Sequence, residues 1–149
     1  MKIKPTYVTF EQAKLLKEKG FDVECNHYYE YSLKSRIDQQ DGYSGPFGWE
    51  KGELNYQSGY FINNIEGVDT SNESWYLCAR PEQWQVVEWL RINHGIEVET
   101  YKSNYNRYDY RIINGKESLM YLKLPLHRSF HPKQEAYSAA FDYILKELI

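Results

Sequence analysis

With 149 residues, 42% of them hydrophobic and 26% charged, the chain has the composition of one globular domain and not of a disordered segment. No run approaches the ~20 apolar residues of a membrane span, and Met1-Lys2-Ile3-Lys4-Pro5 lacks the apolar stretch of a signal peptide. The net charge of −3 argues against bulk attraction to long nucleic acid, and two cysteines, Cys25 and Cys78, do not make a disulfide framework. The expectation is therefore a single cytoplasmic domain over residues 1–149 with reduced thiols.

In chain order, Thr9-Phe10-Glu11-Gln12 reads as a capping box, in which the Thr9 hydroxyl accepts from the Gln12 amide and Gln12 reaches back. A short helix follows with Phe10, Ala13, Leu15 and Leu16 as its apolar stripe, and Gly20 ends it as a left-handed cap. Phe21 to Cys25 alternates like a half-buried strand that continues through Tyr28-Tyr29-Glu30-Tyr31. Residues 34–73 are punctuated by glycine turns and read as a β-containing insertion with a mobile tip near Tyr43–Trp49 and a strand within Tyr56–Ile65. Trp75 to Ala79 looks like a buried strand.

Pro81 suits the first turn of a second helix, with Trp84, Val87 and Leu90 as its inner stripe, widened by Val86, Trp89 and Ile92. Gly95 caps that helix, and Ile96–Tyr101 and Tyr108–Ile113 alternate as strands. Asn114-Gly115 is the strongest hairpin dipeptide, because a two-residue turn needs positive φ at both positions. Leu119–Leu124 supplies the return strand. Pro132 opens a last helix with Ala136, Ala140, Ile144 and Leu148 along one seam. The fold class is α+β: a mainly antiparallel sheet with about three helices packed on one face. Glu11-Gln12…Gly20 and Glu82-Gln83…Gly95 make two helix–Gly–strand units, either a degenerate repeat or a chance likeness.

Charge is segregated. From Ile37 to Trp75 the balance is −6, and from Tyr101 to Lys133 it is +5. Such asymmetry solvates two faces, lays an acidic flap over a basic surface, or makes a self-complementary contact between subunits. No catalytic set emerges. His127 and His131 straddle a loop without the companions of a zinc site, and neither cysteine lies in a nucleophile elbow. The expectation is no metal, no cofactor and no catalytic residue.

The feature that points to binding is the tyrosine- and arginine-rich hairpin. Fifteen tyrosines contribute to an aromatic content of 17%. Tyr105, Arg107, Tyr108, Tyr110 and Arg111 interleave phenol rings with guanidinium groups, and His127, Arg128 and His131 follow. Arginine forks bind phosphate or carboxylate oxygens, and tyrosine rings stack on bases. Alternation puts Tyr108, Tyr110 and Ile112 on one face and Arg107, Asp109 and Arg111 on the other. That is equally the pattern of a sheet with a tyrosine-packed core face. Tyr43, Phe47 and Trp49 are candidate lid or partner contacts.

Ala79-Arg80-Pro81-Glu82-Gln83-Trp84 through Trp89-Leu90-Arg91-Ile92-Asn93-His94-Gly95-Ile96 resembles a segment of small uncharacterised proteins of phages and prophages of gut bacteria. Their pattern runs Ala-Pro-Thr-Gln, then Trp-Leu-Arg-Glu-x-His-x-Ile, then tyrosine-rich hairpins and a final helix. Arg80-Pro81-Glu82-Gln83 departs from that opening, and Ile92-Asn93 stands where Glu-x is usual. The resemblance covers about residues 75–149 and implies a viral origin in a bacterial host, with no reaction attached.

Three function classes follow from these readings. The first is a homo-oligomeric sponge that sequesters a small anionic, nucleotide-derived ligand as a counter-defence protein. The second is a protein-binding inhibitor or accessory factor acting through exposed aromatic residues, and the third is an enzyme with dispersed catalytic residues.

Overall fold

Thr9 starts the first helix by the reciprocal bonds its sequence requires. The fold was taken from a computed structural model that describes residues 4–35, 49–69, 74–103, 107–115, 119–121, 130 and 132–149, with 33–35, 49–52 and 119–121 described by backbone alone. Helix α1 spans Phe10–Glu18; Gln12 N donates to Thr9 Oγ1 at 3.3 Å and Thr9 N donates to Gln12 Oε1 at 3.2 Å. Two orphan amides of the first turn are thereby satisfied. Gly20 closes the helix at φ +83°, with Gly20 N donating to Lys17 O and Phe21 N to Leu16 O, the paired bonds of a Schellman cap.

Phe21–Glu24 is not the strand that its alternation predicts. The side chains do alternate inward, Phe21 buried and Val23 half-buried, but side-chain amides take the backbone in place of a ladder. Asn63 Nδ2 donates to Phe21 O at 2.9 Å and Gln85 Nε2 to Glu24 O at 3.0 Å.

Strand β1 (Cys25–Ser35) pairs with β2 (Trp49–Phe61) on one side and with β4 (Ser74–Ala79) on the other, and β4 carries the two-residue β3 (Val68–Asp69). The insertion thus holds a longer strand than Tyr56–Ile65 suggests, starting seven residues earlier. It ends at Phe61 because Asn63 turns the chain: Asn63 Oδ1 accepts from Ala79 N at 2.7 Å, and Ile65 N donates to Ile62 O. The expected tip at Tyr43–Trp49 lies, apart from the backbone of Trp49, outside the described residues.

The remaining strands form a separate sheet in the order β5 (Ile96–Lys102), β6 (Tyr108–Asn114), β7 (Leu119–Tyr121). Every pairing in both sheets is antiparallel. The architecture is α+β, with its strands divided between two sheets. Asn114-Gly115 does not make a two-residue turn: Asn114 pairs with Leu119, and Gly115 lies outside the left-handed region. Gly115 N instead donates to the carbonyl of Gly95, itself at φ +66°, so the hairpin mouth is tied to the end of the second helix.

Helix α2 (Gln83–Trp89) continues as a π-wound turn over Leu90–His94, and α3 (Lys133–Tyr143) continues likewise over Ile144–Leu148. Pro81 precedes α2 instead of entering its first turn, and Glu82 is the N-cap. The inner stripe of α2 is Gln83, Val86, Trp89 and Leu90; Trp84 is 63% exposed and Ile92 is exposed as well. The stripe is rotated because Gln83 is drawn inward by two bonds, its backbone N–H to Thr6 O at 2.8 Å and its side-chain amide to Gln134 O at 3.0 Å. Of the α3 seam, Ala136, Ala140 and Ile144 are fully buried, as their spacing predicts, while Leu148 is half-buried and Phe141 is buried beside them.

One apolar cluster joins both sheets to the helices, with Phe21, Phe61, Leu90, Ile112, Phe141 and Ile144 at its centre. Outside it, one rank of side chains crosses the four-stranded sheet. Leu54, Tyr31, Trp75 and Val68 are direct cross-strand neighbours, and Leu54, Trp75 and Val68 are each more than 40% exposed. Among the described residues no helix is long and apolar enough to cross a membrane.

Candidate functional site

Of the hairpin residues, four can be placed. Arg107 is exposed just before β6, and Tyr108 exchanges both backbone bonds with Phe130 at 2.8 and 2.7 Å. Tyr110 is half-buried beside the Phe130 ring, 6.0 Å between centroids, and burial pushes its hydroxyl above the usual tyrosine value. Arg111 sits opposite Glu99 on β5 and donates to its carboxylate through Nε at 2.9 Å and through Nη2. One ring thus serves packing and one guanidinium is engaged by a carboxylate. Tyr43, Phe47, Tyr105, His127, Arg128 and His131 lie outside the described residues, as does the side chain of Trp49, whose backbone opens β2 opposite Ser35. Of the segregated charges, Asp38, Asp41, Glu73, Lys116, Lys123 and Arg128 also fall there. Among the described residues, no three His, Cys, Asp or Glu side chains gather as a metal set.

A concavity lies elsewhere, in a groove of about 700 Å³ between the N-terminal segment, α2 and α3. Its size falls within the range of small-molecule sites, ~300–1,000 Å³. The N-terminal segment reaches the groove because it runs antiparallel to residues 80–83: Tyr7 bridges Glu82, Val8 N donates to Pro81 O, and Gln83 N to Thr6 O. That pairing sets Lys4, Pro5 and Thr6 as one wall. The rotated stripe of α2 presents Trp84, Val87 and Glu88 as the second. Lys133 and Tyr137, one helical turn apart on α3, form the third.

The electrostatics of the groove are uneven in a useful way. Both of its carboxylates are already engaged. Glu82 Oε2 accepts from the Trp84 indole N–H at 2.8 Å, which also fixes the ring orientation. Glu88 accepts from Arg91 Nε at 3.1 Å, and that guanidinium holds its carboxyl below the usual carboxylate range. The two lysines have no such partner among the described residues: Lys4 is exposed, and Lys133 Nζ stands 5.7 Å from the centre of the Tyr137 ring. The groove therefore offers two ammonium groups, an exposed indole face and an apolar floor.

A second cluster lies across the same N-terminal segment. Thr6 lines the groove, while its neighbour Tyr7 turns to Arg80, as alternation in an extended segment requires. The Arg80 Cζ is 4.2 Å from the centre of the Tyr7 ring, 3.9 Å from that of Tyr56 and 5.6 Å from that of Tyr29. Tyr7 Oη lies 3.2 Å from His27 Nδ1, and burial, reinforced by Glu82 and opposed by Arg80, raises its ionisation point.

Sequence reasoning missed both places. The helical spacing of Trp84, Val87 and Leu90 predicts Trp84 in the core; phasing the stripe on Gln83 and Val86 turns it outward. Arg80 carried a signal of its own, a cation standing between a small buried alanine and a proline. Comparison with protein families, with curated proteins and with solved structures finds no match, so the site is read from its own geometry.

Proposed function

We propose that the chain is a binding protein for a small anionic ligand bearing a flat ring, the class to which nucleotides and nucleotide-derived signals belong. The observation that supports this reading is the groove, where Lys4 and Lys133 flank the exposed face of Trp84 while both local carboxylates are engaged. A ring stacked on an aromatic side chain contributes about 1–3 kcal/mol. The ammonium groups supply the charge that selects an anion, and apolar contact with Val87 and Tyr137 completes the fit. Taken with the resemblance to phage and prophage proteins, the reading becomes sequestration: a host signal held unchanged and out of reach of its receptor.

The test is calorimetry against a panel of cyclic and linear mono- and dinucleotides, with the ligand recovered and weighed afterwards. One ligand class should bind saturably, Trp84→Ala and Lys133→Glu should each weaken it at least tenfold, and the recovered mass should be unaltered. A panel without binding rejects the proposal, and an altered mass converts it to the enzyme reading.

The apolar rank of Leu54, Tyr31, Trp75 and Val68 favours a second reading, a protein-docking face. Leu54, Trp75 and Val68 are exposed on three of the sheet's four strands with half-buried Tyr31 between them, and contiguous exposed apolar surface marks an interaction site. Native mass spectrometry separates self-association from capture of a host protein, and Trp75→Lys should abolish either.

A further inference from the structure

We propose that Arg80, clasped by Tyr7 and Tyr56, is a receiving site for a phosphate-type oxyanion, separate from the groove. The guanidinium is half-buried, and its Nε–H is sealed from water without any hydrogen-bond acceptor. No carboxylate of the described residues comes within ion-pair distance of it. A cation that has given up part of its hydration and gained no counter-charge is costly, and an incoming anion offsets that cost.

The surroundings are arranged to hold the group still. Arg80 N donates to His27 O at 2.9 Å, fixing its backbone against β1, and the Tyr7 and Tyr56 rings stand about one van der Waals contact from Cζ. Tyr7 comes from the N-terminal segment and Tyr56 from the edge strand β2, so the clasp is assembled by tertiary structure and not by local sequence. Tyr56 is 60% exposed, so the clasp opens to solvent on the β2 side. A guanidinium held flat presents its outer N–H pair in the fork geometry that matches two oxygens of one phosphate. The Tyr7 hydroxyl and the His27 ring, 3.2 Å apart, add polar groups beside it for a third oxygen. The guanidinium fork, with the one donor left over from the Tyr7–His27 bond, suits the three free oxygens of a phosphomonoester better than the two of a carboxylate.

The experiment is a titration of the full chain with inorganic phosphate, followed by NMR of the Arg80 Nε–H, the His27 ring and the Trp84 indole N–H, with acetate as the comparison. Phosphate should shift the Arg80 and His27 signals saturably and leave the indole in place, and acetate should bind at least tenfold more weakly. Arg80→Gln should remove the saturable shift of His27. Because that change also removes ring contacts, Tyr56→Leu, at an exposed position, is the companion: it should weaken phosphate severalfold while the melting temperature holds. Three outcomes overturn the proposal: no saturable shift at His27, undiminished binding in Arg80→Gln, or a response confined to the Trp84 indole, which would place the anion in the groove. Because the Proposed function is read from nucleotide binding and from Trp84 and Lys133, either idea can fail without the other.

Discussion

Cys25 and Cys78 sit on neighbouring strands with their thiols in the core, 2% and 1% exposed. Burial pushes both from 9.0 up to about 12; Glu82 pushes Cys25 further, while Lys17 and Lys14 pull Cys78 back. A thiol held protonated is neither nucleophile nor metal ligand, so these behave as small apolar side chains. At about pH 8 the native chain should leave an aromatic disulfide reagent unreacted, and denaturant should release both thiols to it. The same shift sets a pH dependence. The folded state keeps its protons where the unfolded chain loses them, so the contribution is complete below about pH 9 and is lost as pH rises through about 12. The hydroxyls of Tyr28, Tyr29, Tyr76 and Tyr110, all raised chiefly by burial, act in the same direction. Urea midpoints should therefore be flat on the neutral side and fall in the alkaline range; a chain as stable at about pH 11 as at about pH 8 contradicts this account.

Local signals read well wherever the physics is local. The capping box at Thr9 and the left-handed glycines at 20 and 95 involve residues within one or two turns, and each is present as its sequence indicates. The failures share a cause, which is a partner far along the chain. Phe21–Glu24 has the alternation of a strand but loses its backbone to Asn63 and Gln85, and Trp84 has a core spacing but is turned out by the bond from Gln83 to Gln134. Asn114-Gly115 has the composition of a two-residue turn, yet Gly115 is spent on Gly95. A pair of substitutions measures this difference. A Cβ at Gly20 would meet nothing within 4 Å, so Gly20→Ala pays only for φ +83°, about 1–2 kcal/mol. At Gly115 the backbone is already accessible to alanine and the new Cβ would touch Gly95 O at 3.4 Å, an ordinary contact. Gly115→Ala should thus cost less than Gly20→Ala in urea melts. The reverse order would restore the tight turn that the dipeptide suggests.

What assembles the groove, and what binds the two sheets into one body, are contacts of long sequence separation. Residues 4–6, 82–88 and 133–137 line one concavity, and no periodicity within any of the three segments announces the others. Gln12 is the clearest case. It reads as half of a capping box, which it is, but its amide nitrogen also donates to Ser138 O and Oγ at 2.9 Å each and to Asp142 Oδ1 at 3.0 Å. The side chain is 1% exposed, so one amide both starts α1 and fastens it to α3, which in turn packs on β6 of the other sheet. The two roles separate by mutation. Thr9→Ala removes the cap alone and should cost about 1 kcal/mol. Gln12→Leu removes the cap's return bond and also leaves Ser138 and Asp142 without their buried donor, adding about 1–3 kcal/mol. Because the apolar cluster is continuous across both sheets, the loss should appear as one earlier transition, with far-ultraviolet ellipticity and tryptophan fluorescence falling together. If Gln12→Leu instead melts α3 ahead of the four-stranded sheet, splitting the two probes, then the halves are coupled through that amide and not through the shared core.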